Sequence, residues 1–210
     1  MRFIKDTCYK GTNILVGNEK RTIVNGMIDY LVSKEFDEIQ VPNIQFQEIF
    51  KDKVGVENNN MMYTFSDRGN RELCLAPEYT AVIQKLAKTS FKYEKDVKLF
   101  YSLECFRGEK PQSGRFRQFT QFGVEILNPT KDWRPDLIAY ATTMMVNAGV
   151  YDYVVDTNAT RGLDYYKDGK GFEISCDRLG SSNQLVGGGE YDGGIGFAIG
   201  VDRLLLLTLD

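Results

Sequence analysis

Apolar side chains recur with a helical period in three parts of the chain. Residues 19–35 predict an amphipathic helix, and the side chains on its apolar face are Ile23, Val24, Met27, Ile28, Leu31 and Val32. A second helix is predicted over residues 77–88, because the proline that opens this segment fits the first turn of a helix. A third is predicted over residues 135–148, where Gly149 provides a C-terminal stop.

Shorter apolar runs between these helices predict β-strands. Proline lacks an N–H, so Pro42 places the first run at a sheet edge or at a strand end. The runs lie at 38–42, 62–65, 72–75, 97–106, 116–127, 153–156, 171–177 and 184–186, and a glycine-rich strand from 194 leads into an apolar helix. Hairpins and short links join them, so the predicted class is α+β, with about six or seven mainly antiparallel strands and helices on one side.

Length and composition predict one domain over residues 1–210. Hydrophobic residues make up 42% and charged residues 26% of the chain, which is ordinary for a globular protein. No apolar run approaches the ~20 residues of a membrane span. Because the first residues are too polar for a signal peptide, we expect no membrane association and a cytoplasmic location.

The sequence contains no histidine, and its four cysteines form no C-x-x-C pair: Cys8, Cys74, Cys105 and Cys176. This composition argues against zinc fingers, Ser-His triads and Cys-His dyads, and it predicts reduced, buried cysteines and no His/Cys metal site. The net charge of −3 argues against a broad nucleic-acid surface. The arginines are instead concentrated in a few motifs, which favours phosphate binding at one site.

The most informative segment is residues 106–125, predicted to form a strand, a loop and a strand. Arg107 and Glu109 lie two residues apart, so we expect them on one face of the sheet. The second strand places four alternating residues on one face: Phe119, Gln121, Gly123 and Glu125. Such a face suits a polar ligand, and an arginine fork can hold a phosphate or a carboxylate. Residue types alone leave a solvated hairpin with surface ion pairs equally open.

This segment resembles motif 2 of the class II aminoacyl-tRNA synthetases, in the form found in histidyl-tRNA synthetase. Other segments agree with that family in the same order along the chain. The first helix with Pro42 is similar to motif 1, and Leu-Ala-Pro-Glu-Tyr-Thr at 75–80 is similar to its Pro-Glu-x-Thr segment. Residues 161–166 resemble the histidine-binding signature, and residues 187–204 resemble the glycine strand followed by motif 3.

The resemblance implies ATP-dependent formation of an aminoacyl-adenylate, with Mg²⁺ bridging phosphates of the nucleotide. Arg107 would hold the α-phosphate and the attacking carboxylate, and Glu109 and Phe119 would bind adenine. Three more arginines would complete the phosphate site, Arg203 at the γ-phosphate, Arg161 at the α-phosphate in the transition state and Arg115 at the terminal phosphates. No nucleophile or base is needed from the protein, because this catalysis is positioning and electrostatics.

The resemblance also implies an amino-acid site, with histidine favoured. Glu78 and Thr80 would hold the α-ammonium group, and Arg107 and Arg161 would contact the carboxylate end. The side-chain pocket would be lined by Gln121, Glu125, Tyr165 and Tyr166. Glycines at 187–189 would let the substrate lie close to a strand backbone. From the residues alone, Arg161 pairing with Asp164 and the tyrosines packing in a core remain alternatives.

Departures from the family pattern leave the acceptor open. Only about 35 residues separate motif 2 from the histidine signature, so the family's insertion is expected to be missing, as is the anticodon-binding domain after motif 3. Ala76, Tyr79 and Glu190 stand where bacterial members of the family usually have Arg, Gly and Arg, respectively. A homodimer through residues 19–35 and the Pro42 strand is expected. The acceptor could be a tRNA end, a carrier protein or a small or peptide amine. The alternative is a histidine-sensing subunit without catalysis, like that of ATP phosphoribosyltransferase.

Overall fold

A computed structural model describes residues 2–4, 9–51, 60–112, 114–160 and 166–208. These residues form four α-helices: α1 (Glu19–Val32), α2 (Thr80–Lys88), α3 (Arg134–Asn147) and α4 (Val201–Thr208). The strands are β1 (Arg2–Ile4), β2 (Ile14–Val16), β3 (Asp37–Glu38), β4 (Ile44–Phe46), β5 (Thr64–Ser66), β6 (Glu72–Leu75), β7 (Val97–Phe106), β8 (Gln118–Leu127), β9 (Val154–Asp156), β10 (Tyr166–Ser175), β11 (Gln184–Tyr191) and β12 (Gly194–Gly200). Two 3₁₀ helices span Gln47–Ile49 and Asp177–Ser182.

Within the described residues, seven strands form the main sheet in the order β3-β7-β8-β12-β11-β10-β9. Of the strands that the structure describes in this sheet, only β3 and β7 pair in parallel, and the other neighbours are antiparallel. β1 pairs with β2, and β4, β6 and β5 form a small antiparallel sheet. The α+β class and the mainly antiparallel sheet are therefore confirmed. The turn between β11 and β12 consists of Asp192 and Gly193, with Gly193 at φ 92°.

The main sheet is covered on both faces, so the expectation of helices on one side is wrong. On β7 and β8, Phe100 and Phe122 pack on the face that carries α1, α3 and α4. Leu99 and Tyr101 point the other way and pack with α2 and the small sheet. Both faces of the central strands present apolar side chains, and each face needs a cover to bury them. The second face, under α2, is the one that carries the candidate site.

Several element boundaries differ from their predicted positions. α2 begins at Thr80 rather than at Pro77, and the Glu78 carboxylate accepts the Ala81 backbone N–H at 3.0 Å, which satisfies a free donor of the first turn. α1 ends at Val32, and the predicted 38–42 strand is reduced to β3. Gly149 follows α3 with φ 88°, as predicted for a helix stop.

Three cysteines are free and buried, as expected: Cys74, Cys105 and Cys176. Cys8 lies outside the described residues. Among the residues the structure describes, no helix is both long and apolar enough to span a membrane.

Candidate functional site

Four strands present one continuous face beneath α2. On β8, Phe119, Gln121, Gly123 and Glu125 alternate onto this face, opposite Cys105, Leu103, Tyr101 and Leu99 of β7. Gly196 and Gly200 of β12 pair with Glu125 and Gln121. Gly187 and Gly189 of β11 continue the same face. The alternation predicted for β8 is confirmed, and we call this surface the glycine floor.

Part of the glycine floor is occupied by the protein's own side chains. A Cβ on Gly123 would collide with the Tyr101 ring, and a Cβ on Gly196 would collide with the Glu125 carboxylate. These glycines therefore make room for a tyrosine and a carboxylate rather than for a ligand. Gly188 faces the opposite core, where a Cβ would lie 2.5 Å from Phe172, so its expected contact with substrate is wrong.

A buried carboxyl group marks one end of the glycine floor. Glu125 is fully buried, Thr80 Oγ1 donates to its Oε1 at 2.9 Å, and Tyr191 Oη donates to its Oε2 at 2.8 Å. Burial raises the pKa of Glu125 to about 8, although the two hydrogen bonds oppose the shift. The nearby charge of Glu78 adds to the rise. A group that can keep or release a proton near neutral pH therefore lies at this end.

The amide of Gln121 lies on the same face of β8, separated from this carboxyl group by Gly123 and the Tyr101 ring. Cys105 Sγ donates to Gln121 Oε1 at 2.9 Å, and Gln121 Nε2 donates to Tyr101 Oη at 3.3 Å. The amide orientation is thus set by two buried neighbours. Glu78 and Thr80, expected at the α-ammonium group, are both buried at the start of α2 and close to Glu125.

Arginines mark the other end of the floor. Arg107 and Glu109 lie beyond β7, which ends at Phe106, so their expected shared strand face is wrong. Arg107 instead takes its position from long-range contacts, because its Nε donates to Pro77 O at 2.9 Å and its guanidinium lies 5.1 Å from the Phe119 ring centroid. Arg107 therefore does lie beside Phe119, but it reaches that ring from beyond the end of β7 and not from a shared strand face.

Arg203 enters the same end from the first turn of α4. Its Nε donates to Gly114 O at 2.6 Å and its Nη1 to Gln184 O at 2.7 Å. Burial lowers the pKa of Arg203, and so do the like charges of Arg107 and Arg115, while Glu109 and Glu173 oppose the shift. Arg107 and Arg115 therefore both lie within electrostatic range of Arg203. Such a cluster favours an anionic ligand.

The remaining predicted positions divide into three groups. Tyr166 opens β10 opposite Tyr191 and lies beside Gly189. Arg161 and Tyr165 lie outside the described residues. Arg115 is exposed, and its Nε lies 3.9 Å from Glu109 Oε2. Sequence reasoning gave Tyr191 no role, although the alternation of β11 after Gly187 and Gly189 points it onto the floor.

Two departures from the family pattern are accommodated by contacts within the protein. Glu190 lies between Gly189 and Tyr191 and so points to the opposite face, where Lys167 and Lys170 each lie 3.8 Å from its carboxylate. Its negative charge therefore does not face the floor. Tyr79 is buried, and its hydroxyl donates to Asn43 Oδ1 at 2.6 Å.

Comparison with known proteins agrees with this arrangement. A family model described as histidyl-tRNA synthetase matches residues 17–137, which include β7, β8 and the loop between them. This match covers more than half of the chain. The chain belongs to the histidyl-tRNA synthetase family.

Two relatives illustrate how much of the family the chain covers. A histidine–tRNA ligase of Clostridioides difficile is 26% identical over 279 residues, covering 81% of this chain and 66% of the relative. One of Thermococcus kodakarensis is 30% identical over 169 residues, covering 78% of this chain and 39% of the relative. The chain thus spans less than two thirds of the length of both. The first alignment exceeds 210 positions, so that relative has internal segments without a counterpart here.

Solved structures with a similar fold include histidyl-tRNA synthetases. Apo histidyl-tRNA synthetase of S. aureus matches with a TM-score of 0.76 at 26% identity, covering 95% of this chain and 69% of that chain. A Bacillus halodurans structure, described as an ATP phosphoribosyltransferase regulatory subunit/histidyl-tRNA synthetase, matches with a TM-score of 0.76 at 17% identity. It covers 98% of this chain and 83% of that chain, and the likeness is one of fold.

Proposed function

We propose that residues 1–210 form a single catalytic domain that activates an amino acid, histidine in first place, to an aminoacyl-adenylate with ATP. The observation that carries the proposal is the arrangement along one glycine floor. A buried carboxyl group, Glu125, stands at one end, and three converging arginines stand at the other: Arg107, Arg115 and Arg203. An amino acid bound between them would have its side chain at Glu125 and its carboxylate near the arginines.

The arginine end supports the chemistry of adenylate formation. A carboxylate oxygen of the amino acid attacks the α-phosphorus, a new P–O bond forms, and the bond to pyrophosphate breaks. Because two anions must approach each other, fixed positive charge lowers the barrier. Arg107 would bridge the carboxylate and the α-phosphate, and Arg203 and Arg115 would hold the terminal phosphates. Adenine would stack on Phe119, on the ring face away from Arg107, with its amino group donating to Glu109.

Magnesium fits the same end of the floor. Glu109 and Glu173 carry the negative charges that act on Arg203, and carboxylate oxygens are ligands that Mg²⁺ accepts. The ion would neutralise charge on the pyrophosphate when it is bound. Glu173 would hold it directly or through water, since Glu109 is taken by the adenine amino group.

The carboxyl end supports histidine as the amino acid. With a pKa of about 8, Glu125 retains its proton in much of the free protein near pH 7. An imidazole, with an ordinary pKa of about 6.5, can accept that proton and form an ion pair with the carboxylate. Amino acids with apolar side chains offer no such acceptor. Thr80, which already donates to Glu125, would accept from the α-ammonium group through a lone pair of its hydroxyl.

Amino-acid-dependent exchange of pyrophosphate into ATP tests the proposal directly. The purified protein should catalyse exchange with histidine as the best of the twenty amino acids. Glu125→Gln keeps the size of the side chain but cannot supply the proton, so it should narrow the preference for histidine. Exchange that is absent with every amino acid would overturn the catalytic proposal.

The fold of the B. halodurans protein supports one alternative, a histidine-binding regulatory subunit without catalysis. Calorimetric binding of histidine together with absent exchange would favour that alternative. For the enzyme, the acceptor would be a tRNA end, a carrier protein or an amine, and a homodimer is proposed by analogy with the family. Transfer from preformed adenylate to each acceptor class separates these cases.

A further inference from the structure

A buried acid next to Arg203 has no part in the chemistry proposed above. Asp202 stands in the first turn of α4 and is only 7% exposed. Its Oδ2 accepts the backbone N–H of Thr120 at 2.5 Å. The β8–β12 pairing ends one position earlier, where Gly200 lies opposite Gln121. The carboxylate therefore takes the place of the next backbone acceptor, after the chain has turned from β12 into α4.

This single contact constrains two parts of the nucleotide site. Thr120 lies between Phe119 and Gln121 on β8, and Asp202 directly precedes Arg203 on α4. When the carboxylate holds the Thr120 N–H, the β12–α4 junction is fixed against β8. The stacking ring of Phe119 and the guanidinium of Arg203 are then held at a set separation. The position of Arg203 depends on this junction, because its guanidinium must reach two carbonyl oxygens on separate elements, those of Gly114 and Gln184.

Helix α1 contributes the cation that faces this acid. Lys20 Nζ lies 3.6 Å from Asp202 Oδ1 and 3.7 Å from Glu104 Oε1 of β7. Thr120 Oγ1 donates to the same Glu104 oxygen at 2.6 Å. The thiol of Cys105 on β7 also lies within electrostatic range of Asp202. Lys20 is thus the cation shared by two carboxylates.

These groups act on the protonation of Asp202 in opposite directions. Burial raises the pKa of Asp202, and the charge of Glu104 adds to the rise. Lys20 and the Thr120 N–H lower it and so favour the ionised carboxylate. Without Lys20, the two acids would share the space, and Asp202 would take up a proton at a higher pH. A protonated Asp202 is a weaker acceptor for the Thr120 N–H.

We propose that Lys20 and Asp202 are positioning residues that tie helix α1 to the phosphate end of the site, by holding the β12–α4 junction against β8. The catalytic consequence rests on the proposed adenylation, but the tie itself does not. A change at the start of α1 would therefore alter nucleotide binding without any contact between α1 and the nucleotide.

The tie is tested first without any activity measurement. The chemical shift of the Thr120 amide is followed by NMR as a function of pH, because it reports the protonation of Asp202. This pH dependence should disappear in Asp202→Asn. In Lys20→Met the midpoint should rise by about one pH unit, and Lys20→Arg should restore it. Arg21→Met removes the same charge from an exposed neighbour on α1 and should leave the midpoint unchanged. Equal midpoints in Lys20→Met and Arg21→Met would overturn the tie, and Lys20→Gln gives the same comparison if the methionine variant does not fold.

The functional consequence is tested by pyrophosphate exchange at varied ATP. Lys20→Met should raise the KM for ATP by about tenfold at pH 6.5. In a profile of KM against pH, the acidic limb should shift to higher pH together with the midpoint of the Thr120 amide. Arg21→Met should match the wild type. An amide midpoint that moves while the KM profile stays fixed would contradict the positioning role. If the wild type catalyses no exchange, the same comparison is made with the calorimetric Kd for ATP, which separates this inference from the proposed function.

Discussion

At the scale of single residues, Glu125 has a donor on each carboxylate oxygen, and the two donors come from different elements. Thr80 belongs to helix α2, which covers the glycine floor, whereas Tyr191 belongs to strand β11, which forms part of it. Both hydroxyls lower the pKa of Glu125 against the effect of burial, and the larger effect comes from Tyr191. Tyr191 therefore orients the carboxyl group and favours its ionised form.

Tyr191→Phe should weaken histidine recognition. Loss of the donor leaves Glu125 Oε2 unsatisfied and raises the carboxyl pKa further, so the KM for histidine should rise about tenfold with a smaller change in kcat. Exchange kinetics at varied histidine measure both values. Tyr79→Phe is the matched control, since this buried hydroxyl bonds Asn43 and the Glu104 carbonyl. Equal effects on KM in the two variants would refute a specific role for Tyr191.

Glu125→Gln should change how stability depends on pH. The ordinary pKa of 4.5 rises to about 8 in the folded protein. Between these values the folded chain keeps a proton that the unfolded chain releases, so this group makes the free energy of unfolding fall as pH rises. Glutamine removes that slope. As the pH rises from 5.5 to 8.5, the free energy of unfolding of the variant should therefore increase by about 3 kcal/mol relative to that of the wild type. Urea unfolding of both proteins at both pH values measures this difference, and a difference that is the same at the two pH values would contradict the expectation.

At the scale of elements, two glycines give opposite predictions. A Cβ at Gly26 in α1 would meet nothing within 4 Å, whereas one at Gly188 in β11 would lie 2.5 Å from the Phe172 ring. Gly26→Ala should therefore stabilise the isolated protomer by about 0.5–1 kcal/mol, because alanine favours the helix. Gly188→Ala should destabilise it by about 1–3 kcal/mol. Chemical denaturation measures both, and a destabilised Gly26→Ala protomer would contradict the open surface seen at that position.

The elements also show what the sequence could predict. Strict alternation placed Phe119, Gln121 and Glu125 on one face of β8, because a strand has a period of two residues. It failed at Arg107, which lies past the end of β7 and is fixed by a carbonyl thirty residues earlier, at Pro77. Position beyond a strand end depends on such long-range contacts, and local spacing does not encode them.

The glycines were a second limit of prediction. Gly123, Gly188 and Gly196 look alike in the sequence, yet two accommodate side chains of the floor and one packs in the opposite core. Which role each takes depends on cross-strand register. That register is set by the pairing of strands far apart in the chain, such as β8 with β12. One sequence therefore predicts a glycine-rich surface without showing which glycines face a substrate.

At the scale of the whole molecule, the homodimer through residues 19–35 and the Pro42 segment stays a prediction. On α1, Met27 and Leu31 are buried in the protomer core, whereas Val32 is 57% exposed. The small sheet that follows Pro42 exposes three more apolar side chains: Ile44 at 54%, Phe46 at 44% and Phe65 at 40%. A homodimer that includes the Pro42 segment would cover this sheet better than it would cover α1.

Phe46→Asp should therefore shift the protein toward monomer. A buried, unpaired carboxylate in an apolar contact is costly, so the dissociation constant should rise by about tenfold or more. Sedimentation velocity at micromolar concentration measures the change. Tyr93→Ser removes a ring that is 87% exposed on another surface, and it should leave the oligomeric state unchanged. A wild-type monomer with full activity would rule out a functional dimer.

The carboxylate of Glu125 lies over a glycine of the neighbouring strand, and this glycine is required whatever side chain stands at position 125. A Cβ at Gly196 would meet the Glu125 carboxylate and also the backbone carbonyl oxygen of Val124 at 2.6 Å, so a smaller residue at position 125 would not by itself admit a larger one at position 196. Redesign of the amino-acid preference should thus change Glu125 and keep Gly196. In a lineage that came to use another amino acid, the carboxylate would be expected to change while the glycine stays.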